Sequence, residues 1–234
     1  MPELLERADT ALLDAVRRGL ADRADPTKAP AMQAYMKSAM PYRGVPSPVQ
    51  KALAREVFPA HPLPDFETWR QTALALWRDA TYREERYLAI ALTGLRAYAA
   101  HQTPASLPLY EELIVTGAWW DYVDEVAIRR IGPILRSHPD VVRPLMLAWR
   151  TDGDLWRRRS AIICQVGRKD GMDLDLLTAC LEPNLADREF FIRKAIGWAL
   201  RDYAWRDPEW VRAWVAAHDG QLSGLSRREA LKNI

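Results

Sequence analysis

A pair made of alanine followed by isoleucine or leucine recurs six times along these 234 residues: Ala52-Leu53, Ala89-Ile90, Ala127-Ile128, Ala161-Ile162, Ala195-Ile196 and Ala230-Leu231. The spacings are 37, 38, 34, 34 and 35 residues. A period near 35 residues accommodates two helices and two turns, the unit of a helical solenoid, in which each hairpin buries its apolar faces on its neighbours. Three copies share more: Tyr122-x-x-Glu125-x-Ala127-Ile128, Trp156-x-x-Arg159-x-Ala161-Ile162 and Phe190-x-x-Arg193-x-Ala195-Ile196 each carry an aromatic five residues before the alanine. In a stack of this kind the alanine marks where helices approach closely. Such pairs also recur by chance in an alanine-rich chain, but the near-regular spacing favours a repeat. It favours one continuous array over 1–234 rather than two domains.

The rest of the pattern is helical. The stretches Glu67–Arg78, Glu84–Ala99 and Arg188–Tyr203 carry apolar residues at helical spacing, and period-two alternation is scarce. Prolines cluster between these stretches, at Pro41–Pro48, Pro59–Pro64 and Pro104, and punctuate a series of short helices. The expected fold is all-α. A helical tendency also covers Leu4–Leu20. With 49% hydrophobic residues the chain has material for a core of this size.

Several chemistries lose weight on inspection. Met1–Arg7 places acidic residues where a signal peptide carries positive charge, and no apolar run approaches a membrane span, so a cytoplasmic protein is expected. Cys164 and Cys180 lack a C-x-x-C partner and read as buried thiols; the four histidines lie at no ligand spacing, so no metal is expected. Glycine-rich phosphate loops and the G-x-S-x-G elbow are missing, and no cofactor is implied.

Net charge is only +2, from 33 basic and 31 acidic residues, yet the charge is uneven. Between Arg129 and Lys169 ten basic residues face three acidic ones, a local balance of +7. The residues two before each repeat alanine form a row, Gln50, Tyr87, Glu125, Arg159, Arg193 and Arg228, whose second half is basic. On the concave side of a solenoid such a row could track a phosphate backbone. The alternative is a solvated face whose arginine stems cover helices.

The most unusual string is Trp119-Trp120-Asp121-Tyr122-Val123-Asp124. Neighbours on a helix are about 100° apart, so two adjacent tryptophans cannot face one core and at least one should be displayed. Trp120 and Asp124, four apart, share a helical face. An indole beside a carboxylate suits a cationic ligand or a transition state with positive charge. A core tryptophan with a solvated or capping aspartate is the competing reading. Ten tryptophans are many for such a chain; Trp69, Trp77, Trp149, Trp205, Trp210 and Trp214 are expected to pack helices, Trp156 to be structural, and Trp119 is left undecided.

Four strings carry a resemblance: Glu111–Asp124; Trp156-x-x-Arg159-x-Ala161-Ile162; Glu189–Ala204 with its Lys194-Ala195-Ile196-Gly197-Trp198-x-Leu200-Arg201; and Leu225-Ser226-x-Arg228-Glu229-Ala230. With Ala34-Tyr35-Met36-Lys37 they span roughly residues 30–232, and together the chain resembles the bacterial alkylpurine DNA glycosylases built from HEAT-like repeats. The resemblance implies an α-solenoid of about six HEAT-like repeats, a curved superhelix with a basic concave groove. It implies a monomeric, monofunctional base excision repair enzyme that hydrolyses the N-glycosidic bond of cationic N3-alkyladenine and N7-alkylguanine in duplex DNA. Asp124 then matches the family's catalytic carboxylate, Trp120 and Trp198 its cleft indoles, Arg159 its backbone-holding arginine and Tyr35 a DNA-contacting tyrosine. Arg193, Lys194, Arg201 and Arg228 are further expected DNA contacts. Arg157 and Arg158 depart from the family pattern and are expected to add local charge. The resemblance also implies that the lesion stays largely stacked instead of flipping into a pocket. Two other functions remain open: a non-catalytic HEAT-like-repeat protein that binds bent or branched DNA, and a protein-interaction solenoid.

Overall fold

A computed structural model describes residues 7–168 and 171–234. Among the described residues there is no strand, and the chain is all-α. Its helices gather into two compact units, one ending at His101 and one running from Gln102 to Ile234. The stacked helix pairs within each are those of an α-solenoid of HEAT-like repeats.

The first unit holds α1 (Thr10–Asp22), α2 (Ala29–Met36), α3 (Ser47–Ala60), α4 (Phe66–Arg78) and α5 (Arg83–Thr93). Asp9 starts α1 by accepting the Leu12 amide at 2.8 Å, and Leu12, Val16 and Leu20 then fall on one buried face. Of the helical tendency expected over Leu4–Leu20, residues 4–6 lie outside the described residues. The stretch expected as one helix to Ala99 breaks after Thr93, where Gly94 intervenes and a 3₁₀ turn, Arg96–His101, follows. Glu84 is fully buried but not unpaired: the amides of Arg43, Gly44 and Val45 donate to it at 2.9–3.1 Å. That carboxylate anchors the proline-rich 41–48 segment, whose backbone would otherwise lack partners.

The second unit contains α6 (Leu107–Gly117), α7 (Trp120–Val126), α8 (Gly132–Ser137), α9 (Pro139–Trp149), α10 (Leu155–Ile163), α11 (Leu174–Leu181), α12 (Phe190–Ala204), α13 (Pro208–Ala217) and α14 (Gly224–Ala230). A π-helical turn, Ala127–Ile131, joins α7 directly to α8. Asp154, Asp173, Asp207 and Ser223 cap α10, α11, α13 and α14 through their side-chain oxygens.

The repeat alanines behave as expected in five copies. Ala89, Ala127, Ala161, Ala195 and Ala230 are all buried. Ala52 is the exception and is exposed; in α3 the buried residues are Leu53 and Ala54. The close approach there is made by a different small residue, since a methyl group on Gly19 of α1 would lie 2.3 Å from Leu53. Tryptophans 69, 77, 149, 156 and 214 are buried, and Trp210 packs against Tyr203 with ring centroids 5.3 Å apart. Trp205 contradicts the packing expectation. It follows the last residue of α12 and is 77% exposed, because the chain turns there before α13 and brings nothing over the ring.

Candidate active site

The site is built on a helix boundary. After α6, Ala118 adopts a left-handed conformation (φ 45°) and Trp119 is extended, so α7 begins at Trp120. Trp119 and Trp120 are thus separated by this boundary rather than by rotation around one helix. Trp119 turns into an aromatic cluster, 6.3 Å from Trp156 and 5.4 Å from Phe191 between centroids, with Trp156 and Phe191 5.1 Å apart. Trp120 and Asp124 lie one turn apart on α7, and both line a cleft of about 490 Å³. Trp198, from α12, lines the same cleft. The π turn that follows α7 widens the helix by a residue, and Arg129, Gly132 and Arg136 line the cleft along with Glu125 and Ile128.

Asp124 has a dedicated partner. Arg159 on α10 donates from Nε to Oδ1 at 2.7 Å and from Nη2 to Oδ2 at 2.8 Å, the paired-fork geometry that guanidinium and carboxylate favour. Its Nη1 donates to the Phe191 carbonyl oxygen at 2.5 Å, and the guanidinium lies 5.9 Å from the Phe191 ring centroid. The aromatic cluster therefore supports the arginine, and the arginine orients the carboxylate. The Arg159 side chain is only 5% exposed and that of Asp124 15%. Burial raises the Asp124 pKa above the ordinary carboxylate value; Arg159 opposes the rise and Asp121 adds to it. The result is a partly desolvated carboxylate in the lining of a cleft that two indoles also line.

The structure thus brings Trp120, Asp124 and Trp198 to one cleft, with Arg159 bonded behind the carboxylate. The other expected contacts lie elsewhere. Lys194 pairs with Glu229 at 3.0 Å, and Arg201 pairs with the same carboxylate. Those two cations pull the Glu229 pKa down, Lys194 most strongly. Arg193 is half-buried on α12 and Arg228 is exposed on α14. Tyr35 belongs to the first unit, where it is 78% exposed on α2.

The basic segment is less basic than its tally. Arg130 pairs with Glu125 at 3.4 Å, Arg143 with Asp173 at 3.1 Å, Arg157 with Glu111 at 2.7 Å and Arg158 with Asp187 at 3.1 Å. Arg157 and Arg158, expected to add charge, are neutralised because Glu111 of α6 and Asp187 of the segment before α12 meet them. Lys169 lies outside the described residues. The arginines that do line the cleft are Arg129, Arg136 and Arg168. None belongs to the row read from the repeat; the signal available for two of them was the seven-residue spacing of Arg129 and Arg136 on the helix that carries Asp124.

Residues 16–234 match the family described as DNA alkylation repair enzyme. The chain belongs to the DNA alkylation repair enzyme family. Among solved structures it is similar to a predicted DNA alkylation repair enzyme from Enterococcus faecalis, with 28% identity and a TM-score of 0.81 over 91% of this chain and 97% of that one. No curated protein sequence matches it. Membership in the alkylation repair family makes the chain a DNA repair enzyme whose substrate is DNA. Among the described residues no helix is long and apolar enough to cross a membrane, and no group of three or more acidic, histidine or cysteine side chains is placed to hold a metal.

Proposed function

We propose that this alkylation repair protein is a monofunctional DNA glycosylase that removes cationic alkylated purines, N3-alkyladenine and N7-alkylguanine, from duplex DNA. The observation that carries the reading is one cleft holding two indoles and a partly buried carboxylate, Trp120, Trp198 and Asp124. Alkylation at N3 or N7 leaves the purine positively charged and weakens its bond to the sugar. When the C1′–N bond breaks, its electron pair goes to the purine, which departs neutral, and positive charge develops on the deoxyribose. Asp124 faces that charge as an anion, and the faces of Trp120 and Trp198 add cation–π attraction. Water then adds to C1′ and gives up a proton, for which Asp124 is the acceptor, as carboxylates serve glycoside hydrolysis.

Arg159 has a definite part in this. Burial alone would favour protonated Asp124, which could not stabilise a cation; the forked pair with Arg159 favours the ionised form and fixes its direction. On this reading Arg159 is a positioning residue whose guanidinium is committed to Asp124 and Phe191. No base pocket is required, because contacts to the sugar suffice when the lesion supplies its own leaving-group charge. Residues 1–234 would act as a single repair domain, as a monomer in the cytoplasm or on the nucleoid, without a cofactor.

The test is release of 7-methylguanine from methylated duplex DNA by wild type and Asp124→Asn. Loss of preorganised charge stabilisation of this kind typically costs about 10²–10³ in rate. Equal rates would remove Asp124 from the chemistry. Tight, salt-dependent binding with no base release by the wild type would favour a non-catalytic DNA-binding protein.

A further inference from the structure

The cleft has two walls of opposite charge. Asp121, Asp124 and Glu125 occupy the part formed by α7, whereas Arg129, Arg136 and Arg168 occupy the part formed by the π turn, α8 and the segment that follows α10. The three arginines differ from their neighbours in the basic segment. Arg130, Arg143, Arg157, Arg158 and Arg159 each meet a carboxylate within 3.4 Å. Arg129 and Arg136 are exposed and line the cleft, and Arg168 donates to the Gln165 side-chain carbonyl oxygen at 3.1 Å, with Asp173 near enough to act on its charge. The Arg168 Nε is buried and makes no hydrogen bond. Its pKa is lowered, first by burial and in part by the like charge of Arg136, while Cys164 and Asp173 act the other way.

Concentrating like charges at a half-buried surface costs free energy unless an anion completes the site. The backbone that carries Arg168 is also fixed. Gly167 has φ +81°, a conformation that favours glycine, and its amide donates to Asp202 of α12 at 2.8 Å. Gln165, itself buried, accepts the Asp173 amide at 2.8 Å and donates to the Asp173 carbonyl at 2.9 Å. These bonds hold Arg168 at the cleft edge.

We infer that Arg129, Arg136 and Arg168 form an anion-binding wall that grips DNA phosphates beside the nucleotide whose sugar faces Asp124. The inference rests on the glycosylase reading for the position of that sugar, but not for the phosphate contacts. Arg136 lies twelve residues beyond Asp124, at most about 18 Å along the helical axis. One strand advances 3.4 Å per phosphate, so the wall addresses phosphates within about five nucleotides of the target. Asp202 acts through Gly167 and is a positioning residue for the wall. Backbone binding thus passes from Arg159, which is committed to Asp124, to side chains without an ion pair among the described residues.

The experiment measures binding to undamaged duplex DNA across a salt series, alongside single-turnover base release at saturating enzyme. Each neutralised phosphate contributes about 0.9 to the slope of log affinity against log salt. The triple variant Arg129→Gln/Arg136→Gln/Arg168→Gln should lower the slope by about 2.7, and lysine at the same three positions should restore most of the slope. Asp202→Ala should lower the slope by less than one phosphate's worth. Circular dichroism verifies that the variants remain folded. A folded triple variant whose slope falls by less than about 0.9 overturns the wall. Absence of base release by the wild type would instead overturn the glycosylase reading, and the slope would still decide the wall.

Discussion

Replacing Arg159 by methionine removes the cation behind Asp124 while keeping a side chain of similar length against Phe191. The carboxylate, 15% exposed beside Arg159, then loses both forked bonds while the rest of its surroundings stay in place. Breaking a buried pair by removing one partner costs about 3–5 kcal/mol, and the residual access of water to Asp124 places this pair near the lower end, about 3 kcal/mol. For a chain of this size that lowers Tm by about 6–12 °C. The deficit should depend on pH in a defined direction. Burial already raises the Asp124 pKa above its unfolded value. Such a group binds more protons in the folded state, so it costs stability as pH rises from the unfolded pKa through the folded one, and the cost is relieved on acidification. Without Arg159 the folded pKa moves further up. Urea unfolding at pH 7 and pH 5 should therefore show a smaller gap between wild type and Arg159→Met at pH 5. A gap below about 1 kcal/mol at pH 7, or one that is the same at both pH values, would refute the claim that Arg159 holds a desolvated carboxylate.

Other expectations are simpler to check. A methyl group on Gly197 would lie 2.4 Å from Glu229 Cβ and 2.8 Å from the Ser226 carbonyl oxygen, so Gly197→Ala should destabilise by about 1–3 kcal/mol in thermal unfolding, an outcome a looser α12–α14 contact would not give. Burial pushes the Cys164 thiol far up and that of Cys180 up to about 12, so iodoacetamide should label neither at pH 8 until urea is added; native labelling would show the thiols to be accessible. Trp205→Ser, at a 77% exposed position, should shift stability by no more than about 0.5 kcal/mol, and a larger loss would mean the ring has a partner.

What could be read from residues alone was local or repeated. Trp120 and Asp124 share a face because four residues make about one helical turn, and that holds wherever the helix starts. The alanine repeat announced helix-on-helix packing for the same reason, since close approach demands a small residue at a fixed place in each pair. Trp198 is 74 residues from Asp124, and only the family resemblance connected them. Arg159 shows the limit most clearly. Its place in the repeat put it in a basic row suited to tracking a phosphate backbone, but Asp124, 35 residues earlier, draws it inward, and no residue count reveals a partner on another helix. The charge tally failed likewise for Arg157 and Arg158, whose carboxylates come from Glu111 and Asp187. Gly117 before the helix break at Ala118 and Gly132-Pro133 after the π turn at Ala127–Ile131 mark both departures locally, yet neither tells how they aim Trp120, Arg129 and Arg136. Trp205 erred in the opposite direction, since large apolar residues are usually but not invariably covered.

The central claim is that Asp124 stabilises positive charge developing on a sugar whose purine is already cationic. Single-turnover release of 7-methylguanine and of uracil from matched duplexes, with wild type and Asp124→Asn, tests it most directly. The wild type should release 7-methylguanine rapidly, Asp124→Asn should lose about 10²–10³ of that rate, and neither should release uracil appreciably. Comparable release of 7-methylguanine by both proteins, or efficient release of uracil, would contradict it.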